Sequence, residues 1–130
     1  MIQTTLDMAL EAFAAVNAIR SMVKGMDALH VFYLKNRLKE SVDFLIEEEG
    51  KLIDENGGTI TETGMVIFPN PEKKTQFNKA RKELGGMPAE VDAEPVVIRI
   101  EKCQEVTAEQ IEALDGFVIF EEEVKPNGDK

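Results

Sequence analysis

His30 and Cys103, the one histidine and the one cysteine of this 130-residue chain, are the side chains best suited to acid–base or nucleophilic chemistry. A catalytic histidine needs a nucleophile or an orienting carboxylate in reach, and a metal-binding one normally has companions of its own kind. The sequence around His30 supplies neither, so it reads as an ordinary helix residue. Cys103 follows a strand-like run and precedes a capped helix. Lys102 and the helix N-terminus would lower a thiol pKa there, while Glu101 and Glu105 would raise it. A structural cysteine is the expectation, and an enzyme built on Cys103 is the sharpest catalytic alternative.

Carboxylates cluster as Glu47-Glu48-Glu49 and Glu121-Glu122-Glu123. Consecutive helix residues point in different directions, so the first triplet cannot close on one ion. Asp54-Glu55-Asn56-Gly57 resembles a calcium loop faintly, but lacks the alternating ligands and the closing glutamate. The glycine pairs at 57–58 and 85–86 follow helices, whereas a phosphate-cradling loop precedes one and carries Lys-Ser or Lys-Thr. They read as helix stops. No catalytic residue, metal site or cofactor is expected.

One local feature opposes the whole. Lys73, Lys74, Lys79, Arg81 and Lys82 make a basic helix in a chain of net charge −10. Residues 1–55 carry ten acidic and six basic side chains, residues 56–89 three and five, and residues 90–130 twelve and four. Phosphate backbones repel such a chain, so direct nucleic-acid binding is not expected, although an acidic surface can imitate nucleic acid. The basic helix is either a solvent face paired with the chain's own acids or a docking surface.

The elements that must position these groups are legible in part. The length suits one domain, here taken as residues 1–120. A lone cysteine excludes an internal disulfide framework and suggests a reducing compartment. Neither a signal peptide nor a run approaching the roughly 20 apolar residues of a membrane span is seen. Thr4 or Thr5 starts a first helix, with Asp7 completing a capping box, and Gly25 ends it. Asp27 caps a second helix that runs to about Asn56. Val31, Leu38, Leu45 and Leu52 recur every seventh residue along it, widened by Leu34, Val42, Ile46 and Ile53. Such a stripe wants a partner: a third helix or a second copy of the chain.

Thr59–Thr61 and Met65–Phe68 flank Glu62-Thr63-Gly64 and predict a hairpin. Asn70 and Pro71 open a helix to about Leu84. Residues 87–94 read as a loop, Val96–Ile100 as a strand, and Thr107 with Gln110 as the capping box of a short helix. Phe117–Phe120 reads as a short apolar segment, and 121–130 as a frayed, disordered acidic tail. The fold class is α+β: an N-terminal long helical hairpin packed against a small antiparallel sheet, with two further short helices.

Several phrases in order give a resemblance. They are Glu47-Glu48-Glu49-Gly50-Lys51-Leu52-Ile53-Asp54-Glu55-Asn56-Gly57; Gln76-Phe77-Asn78-Lys79 with Glu83-Leu84; Val97-Ile98-Arg99-Ile100; and the stretch from Val106 through Thr107, Leu114 and Asp115 to Phe117-Val118. The chain resembles a family of small tailed-bacteriophage proteins of unknown function over most of residues 4–120. Gly116 stands where that family commonly has proline, and residues beyond Phe120 are unmatched. The resemblance implies a viral origin and carries over no catalytic residues.

The leading expectation is a non-enzymatic phage protein acting through protein–protein contacts, as a minor structural component or assembly factor of the particle. Its expected surface is Val31, Leu38, Leu45 and Leu52 of the long helix, together with Lys73, Lys74, Lys79, Arg81 and Lys82. The expected partner is a phage or host protein, or a second copy through the long helix, with no membrane involved. The expected place is the bacterial host cytoplasm during infection, or the virion. The alternative is a host-directed inhibitor of a nuclease or defence protein that imitates DNA.

Overall fold

A computed structural model of the chain describes residues 1–122. The elements are β1 (Ile2–Thr5), α1 (Leu6–Ile19), α2 (Gly25–Glu55), β2 (Thr59–Ile60), β3 (Val66–Ile67), α3 (Pro71–Gly85), β4 (Pro88–Val91), β5 (Val96–Arg99), α4 (Ala108–Ala113) and β6 (Val118–Glu121), with a 3-10 turn at Ile100–Lys102. The class is α+β as expected. Its frame is the helical hairpin α1–α2, with α3 lying against both helices.

Local chemistry explains most of the helix boundaries. Thr5 caps α1 by accepting from the Met8 N–H at 3.3 Å. Asp7 does not close a capping box, because with Thr5 rather than Thr4 as the cap the third helical position falls on Met8; the Asp7 carboxylate binds Arg81 instead. α1 stops at Ile19 rather than Gly25, since residues 20–24 are needed to reverse the chain and they bury Val23. Gly25, at φ 61°, opens α2, so Asp27 lies inside the first turn rather than at the cap. There its charge complements the helix N-terminus. Asn70 Oδ1 caps α3 at 2.8 Å with Pro71 first in the helix, and the Thr107–Gln110 capping box forms reciprocally.

Strand pairing departs from expectation. The hairpin β2–β3 forms, but β5 does not join it. Instead β5 pairs in parallel with β6, Val96 opposite Val118 and Arg99 opposite Glu121. Residues 88–91, expected as loop, form β4 and pair antiparallel with β1, Ile2 opposite Val91. The strands thus make three two-stranded sheets. Of the expected acidic tail, Glu121 closes β6, and residues 123–130 lie outside the described residues.

Two clusters make the core. The larger gathers α1 (Ala9, Ala12, Val16, Ile19), the first half of α2 (Val31, Leu34, Leu38), and Val91, Val96, Ile98, Cys103, Leu114, Phe117 and Val118. The smaller joins Leu6, Leu45 and Leu84, where α1, the second half of α2 and α3 meet. α2 is therefore the shared wall of both clusters.

Candidate interaction surface

Cys103 is buried in the larger cluster, its Sγ 4.0 Å from the Met22 sulfur. Burial pushes its thiol pKa up, and the charge of Asp27 adds to this. Both effects disfavour the thiolate that nucleophilic attack requires. The thiol is expected to react with a soluble alkylating reagent only as fast as the protein opens. Mass spectrometry after timed exposure should show slow labelling in buffer and fast labelling in denaturant; equal rates would contradict this burial.

The carboxylate triplet divides its work. Glu47 and Glu48 face Lys51, at 4.0 and 2.7 Å, while Glu49 binds Arg81. Among the described residues no group of three His, Cys, Asp or Glu side chains could hold a metal ion.

Arg81 holds three helices together. From α3 it donates to Asp7 of α1 at 2.8 Å and to Glu49 of α2, and its side chain is only 20% exposed. The Asp7 hydrogen bond, opposed by burial and aided by Glu49, pushes its pKa up. Gly85 makes room for this bridge: a Cβ there would run into the Asp7 carboxylate and come within 2.7 Å of Arg81 Nη1. So Gly85, expected as a helix stop, is the last residue of α3, and a side chain there would have to displace the Asp7–Arg81 pair. Arg81→Ala should cost about 1.5 kcal/mol, the low end for charge-assisted bonds because both carboxylates are more than a third exposed. Arg81→Lys should recover only part, because an ammonium lacks the fork that spans two acids. Urea denaturation of both variants tests this, and an unchanged midpoint in Arg81→Ala would rule the bridge out as a stabilising contact.

The expected docking surface must be redrawn. Val31, Leu38 and Leu45 are almost fully buried within the chain itself, and Leu52 is half-buried against the smaller cluster. α1, α3, β4 and β5 cover the stripe, so it is core and not free for a partner. Ile46, placed on that stripe, points outward instead. Of the basic set, Arg81 is the bridge just described, Lys73 is half-buried, and Lys74, Lys79 and Lys82 are exposed. These four lysines make no ion pair among the described residues.

What α2 leaves uncovered is a second apolar face, opposite the first. Met26, Leu29, Phe32, Tyr33 and Phe44 are all exposed, Phe32 by 53% and Tyr33 by 56%. The Phe32 and Tyr33 rings lie 5.9 Å apart and tilted. Beside them a cleft of about 520 Å3 opens between α2 (His30, Tyr33, Arg37) and the segment 92–96. His30 thus lines the cleft, with Arg37 on its own helix and Asp92 and Glu94 on the facing segment. Sequence reasoning missed this face because the heptad repeat drew attention to the opposite side. The available signal was two adjacent aromatics, Phe32-Tyr33, in an otherwise charged stretch.

Fold and surface together define a small α+β helical-hairpin protein whose exposed special feature is apolar. No known protein family, curated protein or solved structure matches the chain. Among the described residues no helix is long and apolar enough to cross a membrane.

Proposed function

We propose that this chain is a non-enzymatic bacteriophage protein that works through protein–protein contacts, as a minor structural component or assembly factor of the particle. The observation that carries the contact part is the exposed apolar face of α2, with Met26, Leu29, Phe32, Tyr33 and Phe44. Grouped exposed apolar side chains on a small protein mark interaction sites, and Met26, Leu29, Phe32 and Tyr33 fall within about two turns of α2, with Lys35, Arg37 and Glu40 between them and Phe44. The phage part rests on the ordered phrases. Glu47–Gly57 closes α2, Gln76–Lys79 and Glu83-Leu84 lie in α3, Val97–Arg99 in β5, and Val106–Val118 spans α4. The protein then acts in the infected bacterial cytoplasm or travels in the virion, and its partners are phage or host proteins.

A second reading, a host-directed inhibitor that imitates DNA, draws on one observation. Glu40, Asp43, Glu47 and Asp54 stand exposed along one side of α2. Against it, Lys39 pairs with Asp43 at 2.7 Å, and Arg37 and Lys51 approach Glu40 and Glu47 at 4.0 Å, so three of the four are already partly neutralised.

Tagged pull-down from phage-infected cells at two salt concentrations separates the readings. Phage head or tail proteins retained at high salt are the expected result. A host nuclease or DNA-binding protein lost at high salt would reverse the assignment, because mimicry depends on screened charge.

A further inference from the structure

The cleft between α2 and the link from β4 to β5 has two walls of opposite charge. His30, Tyr33 and Arg37, at spacings of three and four residues, stand on one side of α2 and form the first wall. Asp92 and Glu94, on the link, form the second. Leu34 and Val96 line the cleft as well, and both are buried members of the core, so its floor is apolar. At about 520 Å3 the cleft has the size of a small-molecule site, and an apolar floor with a few convergent polar groups is the usual build of one.

The second wall is fixed by the chain's own hydrogen bonds. Val91 pairs with Ile2, the Ala93 N–H donates to the Val91 oxygen at 2.8 Å, and the Val96 N–H donates to the Phe117 oxygen at 2.9 Å. Pro95 restricts the backbone between them. Charge is left over on both sides. Among the described residues no ion pair crosses the cleft and Asp92 makes none at all. Arg37 has only Glu40 of its own helix, at 4.0 Å, while Glu94 meets the Met1 ammonium at 3.6 Å. A ligand of single charge would cover one wall and desolvate the other charge without a partner, which is costly. A ligand with an anion at one end and a cation at the other satisfies both.

We infer that this cleft is a binding site for a short apolar peptide with both ends free. Its carboxylate lies on Arg37, with His30 beside it, and its ammonium lies on Asp92. Its side chains cover Leu34 and Val96 next to the Tyr33 ring. A single amino acid is too small to fill such a space, whereas two residues, about 7 Å long when extended, reach from wall to wall. The inference goes beyond the protein–protein reading and does not rest on it.

Titration of the isotope-labelled full chain with the dipeptide Leu-Phe, followed by NMR, tests this. Saturable amide shifts are expected at His30, Tyr33, Arg37 and residues 92–96, with a dissociation constant of about 1 mM or below. The N-acetylated dipeptide and the dipeptide amide should each bind about fivefold more weakly, the loss of one half-exposed charge-assisted bond. Arg37→Gln should weaken the free dipeptide by a similar factor and no longer distinguish it from the amide. Asp92→Asn should no longer distinguish it from the acetylated form. Both side chains are exposed, and unchanged circular dichroism will show that each variant keeps its fold. No saturable shift at about 10 mM, or shifts centred elsewhere, would overturn the site. Equal binding of a blocked dipeptide, or of free phenylalanine, would overturn the ligand class. A cleft that binds none of these leaves the pull-down reading standing.

Discussion

Phe117→Ala should lower the unfolding free energy by about 3–5 kcal/mol, the range for removing a fully buried aromatic ring. Phe117 is 1% exposed and is the largest fully buried side chain among the described residues. It stands just before β6, after Gly116 at φ 86°, a left-handed turn that aims the ring inward. Its backbone is engaged on both sides: its N–H donates to the Leu114 oxygen at 2.8 Å, and its oxygen accepts from the Val96 N–H at 2.9 Å. The ring therefore seats β5, β6 and α4 on the hairpin together. Small domains have only about 5–15 kcal/mol to lose, so this one change should leave a large unfolded fraction at modest denaturant. A urea titration followed by circular dichroism checks it. A loss below about 1 kcal/mol would mean that the ring does not pack as described.

Leu38→Ala should cost about 2–5 kcal/mol, and Ile46→Ala close to nothing. The comparison decides between the two sides of α2. Leu38 is fully buried between α1 and the β5–β6 sheet's cluster, whereas Ile46, eight residues along the same helix, is 59% exposed. Were the heptad stripe a docking surface, Leu38→Ala would weaken partner capture and leave the denaturation midpoint in place. A destabilised but binding-competent Leu38→Ala, in the same pull-down, is the expected outcome.

Features governed by nearby residues were legible in the sequence. Asn70-Pro71 and Thr107 with Gln110 mark helix starts by their own hydrogen bonds, and Gly57, Gly58 and Gly64 punctuate the hairpin. The period of the stripe states which residues share a face, not what covers that face. Val31 and Leu38 could serve equally for a core or a partner until α1, β4 and β5 were placed. β1 and β4 were hidden because Ile2 finds its partner at Val91, and a four-residue strand opening on Pro88 carries little alternation. Gly85 gave no sign of its role, since the side chains that crowd it come from Asp7 and Arg81. The candidate surface was missed for the reason opposite to these: its signal was local, two aromatics in succession, but weaker than the repeat beside it.

The pairing of Ile2 with Val91 has a consequence for the order in which the chain becomes structured. α1 and α2 are neighbours in sequence and can associate as soon as both are made. β1 cannot, because its hydrogen-bonding partner is synthesised some ninety residues later, and closing so long a loop is a slow, entropically costly event. During synthesis the first strand therefore waits with its backbone unsatisfied while the helices behind it are already packed. Its closure against β4 also docks Leu6 against Met87, through a 3.1 Å hydrogen bond. β1, made before both helices, is thus expected to be among the last of these elements to reach its final place.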